Sequence, residues 1–242
     1  MLLTFFVTKC DKLYIEVIEM LTPAYIFTND FNNLEHFFQE QTHIKKSFKK
    51  GDYLWSIGEP FDKIHYIYSG IAQNLLEHES GKRKIISFHG QGTVFPGFHT
   101  THFKIEDSLL TIALSDMEVL EFTQAQFQIM FSKNQDLQMQ VIDWFSRYSN
   151  LLLFEAAHQD YNSMFVKLCN LLYLLLISEN GKNSGLTEIT QDTLADILGV
   201  SLVNLTRGIT RLRNEGIIST SRKCIEILDA DALAKYCTGE AF

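Results

Sequence analysis

Between Arg207 and Lys223 the chain carries five cations, Arg207, Arg211, Arg213, Arg222 and Lys223, with Glu215 as the one acid among them. Just upstream, Ser201 opens a helical pattern that runs Leu202, Val203, Asn204, Leu205, Thr206, Arg207. Ser is a preferred N-cap because its hydroxyl accepts a backbone N–H of the first turn. In the major groove, apolar side chains at a helix start suit thymine methyls, Asn suits adenine and Arg suits guanine. Cations farther along suit phosphates. Ser201, Leu202, Val203, Asn204, Thr206, Arg207, Arg211, Arg222 and Lys223 are therefore the candidate DNA contacts. There is no Ser–His–Asp set, phosphate-cradling Gly loop or dinucleotide fingerprint. No catalytic residue is assigned and no enzyme is expected.

A second group lies in the amino-terminal half. Phe88, His89, Phe95, Phe98, His99, His102 and Phe103 gather aromatic and imidazole side chains. With Arg147 and Tyr148 they suit a small, partly apolar ligand such as an aromatic or organic acid, and Phe88, Phe98, His99, Arg147 and Tyr148 are the candidate effector contacts. A haem- or metal-binding sensor is the alternative, since imidazole suits either. A cupin-like metalloenzyme is weaker, because the interval from His99 to His102 does not put both on one face of a strand. Cys10, Cys169, Cys224 and Cys237 are too scattered for a zinc clip or a cluster. No metal site and no cofactor is assigned.

Elements that would position these groups are legible in outline. Residues 44–122 alternate short apolar runs with Gly51, Gly58, Gly70, Gly81, Gly90 and Gly92. That spacing predicts an antiparallel barrel or jelly roll, with Glu79-Ser80-Gly81-Lys82 as a hairpin tip. After Phe131 the period changes: Leu137, Val141, Trp144, Tyr148 and Leu151 follow a 4-3-4-3 spacing, with Asn134 as N-cap. This predicts a long helix whose seam joins two copies of the chain. A second helix is expected over residues 163–178, ended by the polar run 179–185. Thr190 to Leu198, Gly199, then Ser201 to Asn214 reads as helix, turn, helix, with Leu198, Val200 and Leu205 filling the angle and Ala195 allowing a close crossing. Ile217 to Leu228 reads as a hairpin wing with Arg222 and Lys223 at its tip.

The 242 residues carry 21 basic and 29 acidic side chains, a net charge of −8. Residues 1–160 hold 13 basic against 20 acidic, and residues 161–242 hold 8 against 9. An acidic body with one basic patch steers a polyanion to that patch. The opening Met1–Val7 is too short to span a bilayer and lacks a basic leader, so no membrane contact and a cytoplasmic location are expected.

These motifs resemble the Crp/Fnr family of transcription regulators over nearly the whole chain. In the carboxyl half the resemblance rests on Ile189-Thr190-Gln191, Leu194-Ala195, Leu198-Gly199-Val200-Ser201, Arg207, Leu212 and Glu215-Gly216-Ile217-Ile218. In the amino half it rests on Lys50-Gly51, Gly58-Glu59, Ile64-His65-Tyr66-Ile67, Ser69-Gly70, Gly81-Lys82, Ile86-Ser87-Phe88 and Gly90-Gln91-Gly92. The resemblance implies an α+β chain: an N-terminal antiparallel β-roll (a double-stranded β-helix) over 1–133 that senses an effector, a dimerisation helix over 134–160, and a winged helix-turn-helix over 161–242. It implies a homodimer on a palindromic, A·T-rich site in double-stranded DNA, with RNA polymerase as the expected protein partner. Leu137, Val141, Trp144, Tyr148 and Leu151 are the expected dimer contacts. Two departures stand out. Cyclic-nucleotide binders of the family carry a ribose-holding Glu and a phosphate-holding Arg; here the corresponding stretches read Phe95-Pro96-Gly97-Phe98 and Glu106-Asp107-Ser108-Leu109. A carboxylate in place of that Arg repels a phosphate, so cyclic AMP is not expected to bind. The usual Arg-Glu-Thr-Val of the recognition helix is replaced by Leu202-Val203-Asn204-Leu205.

Overall fold

The computed structural model describes residues 6–9, 12–15, 21–55, 58–60, 62–99, 101, 103–177, 190–221 and 224–241. Cys10, His102, the 179–185 run, Arg222 and Lys223 lie outside the described residues.

Short strands, the central ones buried at consecutive positions, build a roll from two sheets. The first contains β3 (Ile26–Phe27), β5 (Tyr53–Trp55), β7 (Ile71–Glu77), β8 (Arg83–Gly90) and β10 (Leu109–Ala113), in the order β3-β8-β7-β10-β5. The second contains β4 (Ile44–Phe48), β6 (Lys63–Ser69), β9 (Val94–Phe95) and β11 (Met117–Thr123), in the order β4-β11-β6-β9. Pairing is antiparallel except between β3 and β8. A separate hairpin, β1 (Phe6–Lys9) with β2 (Lys12–Ile15), precedes the roll. The predicted tip between β7 and β8 is present: His78 N–H donates to the Lys82 carbonyl at 2.9 Å, and Gly81 takes a φ of 76° that a side chain would strain.

Helix α1 (Glu35–Glu40) packs Phe38 on Tyr66 and Phe122 inside the roll. Helix α2 (Gln124–Lys133) starts from a capping box in which Thr123 and Gln126 satisfy each other's backbone N–H groups. Helix α3 (Gln135–Tyr161) follows, with Asn134 Oδ1 accepting from Leu137 N–H at 2.9 Å as its N-cap. It lies along the roll and buries Leu137, Val141, Trp144, Leu151 and Phe154.

Helix α4 (Met164–Leu176) begins at the N-cap Ser163 and carries a nearly continuous apolar face. Helices α5 (Gln191–Leu198) and α6 (Leu202–Asn214) form the helix-turn-helix, and β12 (Ile218–Ser221) pairs with β13 (Cys224–Ile227) as the wing. Helix α7 (Ala230–Ala234) closes the chain against α4. Gly208 is explained here. A Cβ on it would stand 2.7 Å from Leu168 Cδ2, so the missing side chain lets α6 approach α4 closely at the expense of helix propensity.

Candidate nucleic-acid interface and roll interior

The turn of the helix-turn-helix is set by local chemistry. Thr190 caps α5 by accepting from Thr193 N–H at 3.1 Å. Gly199 sits at φ 65°, the left-handed conformation that ends a helix, and both Gly199 and Val200 return their N–H to the Ala195 carbonyl. Ser201 then caps α6, with its hydroxyl 3.4 Å from Asn204 N. Leu194, Ile197, Leu198, Leu205, Ile209 and Leu212 are buried between the helices.

The opposite face of α6 is open. Ser201, Leu202, Val203, Asn204, Thr206 and Arg207 are all exposed. Leu202 and Val203 are 45% and 64% exposed, well out of the core for aliphatic side chains at a helix start. Thr206 returns its hydroxyl to the Leu202 carbonyl. Arg207 makes no hydrogen bond or ion pair among the described residues. Arg211 differs: its Nε lies 2.9 Å from Glu215 Oε1, and its guanidinium stacks on Phe165 and Tyr236. Tyr236 in turn donates to Glu215 at 3.0 Å.

The candidate effector residues do not converge on one place. Tyr148 points into the roll, where its hydroxyl bonds with Ser87 and Asn74, and burial raises its pKa. Arg147 pairs with the buried carboxylate of Asp30 and lies over the Phe27 ring. Phe88 is fully buried, but strand alternation puts it on the opposite face of β8 from Ser87 and His89. Phe98 packs on Phe127 and Phe131 of α2. His99 is held in its loop by the Thr101 carbonyl at 2.7 Å and Glu106 at 3.3 Å.

What fills the roll interior is an aromatic stack that the sequence reading did not assemble. His89 lies between Phe95, at 3.9 Å, and Phe27, at 5.4 Å, and Trp144 stacks on Tyr148 at 5.3 Å. Burial pushes the His89 imidazole down to about 3, so it is neutral at physiological pH. His89 Nε2 bonds with Ser87 at 2.9 Å, while His89 Nδ1, Trp144 Nε1 and His65 Nδ1 are buried without a hydrogen-bond partner. Gly97 brings its loop against this stack: a Cβ there would stand 2.6 Å from Phe145 and 2.8 Å from Trp144. Asp107, at the position expected for a phosphate-binding Arg, pairs at the surface with Lys104 at 2.5 Å.

The seam expected to join two chains is used within one. Leu137, Val141, Trp144 and Leu151 are buried, Tyr148 is half-buried, and the aromatic members stack on Phe27 and His89 of the same chain's roll. The exposed face of α3 instead presents Met139, Ile142, Ser146, Ser149 and Leu153, spaced 3-4-3-4. Both faces are visible as periods in the sequence; only the roll tells which one it covers.

Among the described residues no group of three or more His, Cys, Asp or Glu stands close enough to hold a metal ion. Nor is any described helix long and apolar enough to cross a membrane.

An effector-type roll joined by a long helix to a helix-turn-helix with an open reading face defines a DNA-binding regulator. Comparison with known proteins agrees. Residues 45–134 match the cyclic nucleotide-binding domain model, and residues 166–236 match the Crp-like helix-turn-helix domain model. The transcriptional regulatory protein Btr of Bordetella pertussis is 20% identical over 223 residues, covering 90% of each chain. The nitrogen fixation regulation protein FixK of Rhizobium meliloti is 21% identical over 195 residues, covering 79% of this chain and 86% of FixK. The solved structure of OCPA-complexed CprK shares the fold, with a TM-score of 0.70 at 18% identity over 89% of this chain and 99% of that one. The chain belongs to the Crp/Fnr family of transcription regulators.

Proposed function

We propose that this regulator reads a palindromic, A·T-rich site as a homodimer and is gated by a small non-nucleotide effector in the roll, rather than by cyclic AMP. The observation that carries the DNA reading is the open face of α6, where Leu202, Val203, Asn204 and Arg207 are exposed. Leu202 and Val203 meet thymine methyls, and Asn204 or Arg207 makes the polar base contact. Ser201 and Thr206 stand beside them, and Arg222 and Lys223 of the wing anchor phosphates. Two-fold symmetry sets the half-sites about one helical turn apart.

In this reading residues 1–133 sense, 134–160 join two copies and 161–242 read DNA. The exposed stripe Met139, Ile142, Ser146, Ser149 and Leu153 is the dimer face, because the neighbouring seam is occupied by the roll. The roll interior favours an uncharged ligand over the aromatic or organic acid expected from the sequence. The interior offers the unpartnered nitrogens of His89 and Trp144, a neutral imidazole, and a guanidinium, Arg147, already neutralised by Asp30. A buried anion without a free cation bears a heavy desolvation cost.

Selection of bound fragments from a genomic library by the purified full chain tests this. Enrichment of two-fold symmetric sites with A·T-rich half-sites about one turn apart is the expected result. Enrichment of asymmetric or single half-sites would overturn it.

A further inference from the structure

Three parts of the molecule meet at one side chain. Lys84, at the start of β8, places its ammonium on the Glu155 carboxylate of α3 and on the Ile197 carbonyl of α5. Glu155 also accepts the hydroxyl of Tyr25. Lys84 and Glu155 are shielded, with side chains 25% and 12% exposed. The Ile197 carbonyl belongs to the last turn of α5, whose carbonyls lack intrahelical partners, and a cation is favourable there. The Lys84 stem lies at the turn itself: a Cβ on Gly199 would stand 3.8 Å from Lys84 Cδ. Next to it Arg83, bonded to Glu77 at 2.7 Å, adds an attraction for Asp196 of α5.

We propose that Lys84 is a positioning residue for DNA reading. It pins the helix-turn-helix to the roll, so the roll itself, and not only the long helix, sets the orientation in which α6 meets DNA. The proposal rests on the DNA-binding reading above. Two observations support it. With Lys84 in place, Leu202, Val203, Asn204 and Arg207 remain exposed, so the docked arrangement leaves the reading face clear. A pinned reader is preorganised for two half-sites, whereas a reader swinging on a linker must be ordered on binding. The contact is also continuous with the aromatic stack, through β8 and through the residue just before β3. Tyr25, which bonds Glu155, is two residues from Phe27, which stacks on His89; Lys84 and His89 lie on one strand. A rearrangement inside the roll therefore has a short covalent route to the turn before α6.

The test is a fluorescence-anisotropy titration of the full chain with its selected operator and with a random duplex. Lys84→Met removes the charge and keeps the stem. It is expected to weaken operator binding about tenfold, within the usual span of coupling between sites, and to leave random-duplex binding unchanged. Lys84→Arg, which reaches both acceptors, is expected to restore most of the loss. Glu155→Gln keeps an acceptor for Tyr25 but loses the ion pair; it is expected to weaken the operator in the same direction and keeps the idea testable if the methionine variant misfolds. Unchanged or tighter operator binding by both Lys84→Met and Glu155→Gln would overturn the proposal, as would an equal loss on both duplexes. A wild-type chain with no operator preference would instead sink the DNA reading beneath it.

Discussion

The guanidinium of Arg211 lies 3.9 Å from the centroid of the Phe165 ring, so a cation of α6 is tied to α4. Glu215 and Tyr236 complete the clamp. Arg207, one turn earlier on α6, has no such ties. The two arginines therefore separate by role. Arg211→Ala is expected to lower the melting temperature and leave base preference unchanged. Arg207→Ala should keep the melting temperature and lose about 1–3 kcal/mol of discrimination at one base pair per half-site. Thermal melts and competition binding on the two variants check this; the opposite pattern would reverse the assignment.

The two faces of α3 make a second contrast. Ile142 is 54% exposed and Trp144 is 3% exposed. Ile142→Glu with Leu153→Glu should give a folded monomer that binds the palindrome weakly. Trp144→Glu should destabilise the roll by at least about 3 kcal/mol, because it removes a buried aromatic and buries a charge. Sedimentation together with denaturant melts distinguishes the outcomes. A dimer that survives the first change places the interface elsewhere.

Acid sensitivity follows from His89. Its folded pKa, about 3, lies below the ordinary histidine value of 6.5. The unfolded chain therefore takes up a proton first as pH falls. Stability from this group is complete above about pH 6.5 and declines below it, by about 1.4 kcal/mol per pH unit, until the folded value is reached. His65, pushed down to about 4 by burial, acts in the same direction. Urea midpoints between pH 7 and 4.5 should fall less steeply in His89→Leu than in wild type. Parallel slopes would show that His89 is not a buried neutral group.

Cyclic AMP should give no binding heat at millimolar concentration. Asp107 and Lys104 form a surface pair where the family's phosphate contact lies in sequence, and Gly97 is pressed on the α3 rings where a ribose-holding acid is expected. Calorimetry decides the matter, and a sub-millimolar dissociation constant contradicts it.

Much of the architecture was legible in the sequence because its signals are local. The αL glycine at 199, the caps at Asn134 and Ser201, and the hairpin tip at Gly81 each act within a few residues. Helix α2 was missed although its capping box, Thr123 with Gln126, was there to be read. What periodicity could not resolve is which stripe of a doubly apolar helix its own chain covers. Nor could composition show that Arg211 is clamped while Arg207 is free, since both depend on residues distant in sequence. The roll interior was least legible. Phe27 meets His89 because β3 joins the sheet parallel to β8, Phe95 meets it from β9 of the other sheet, and Phe98 and His99, adjacent to one another in sequence, turn to different neighbours.

The inward and outward seams of α3 are offset by about two residues, hence by about 200° around one rigid rod. Such a rod cannot roll on one side and stand still on the other. In a two-fold pair, any slip of Trp144 or Tyr148 within one roll would turn Ile142 and Leu153 through the same angle against the facing helix. A two-fold pair that keeps its symmetry turns both helices in the same sense, so the facing stripes slide across each other instead of meshing, and a turn driven from one roll alone would leave the proposed pair lopsided.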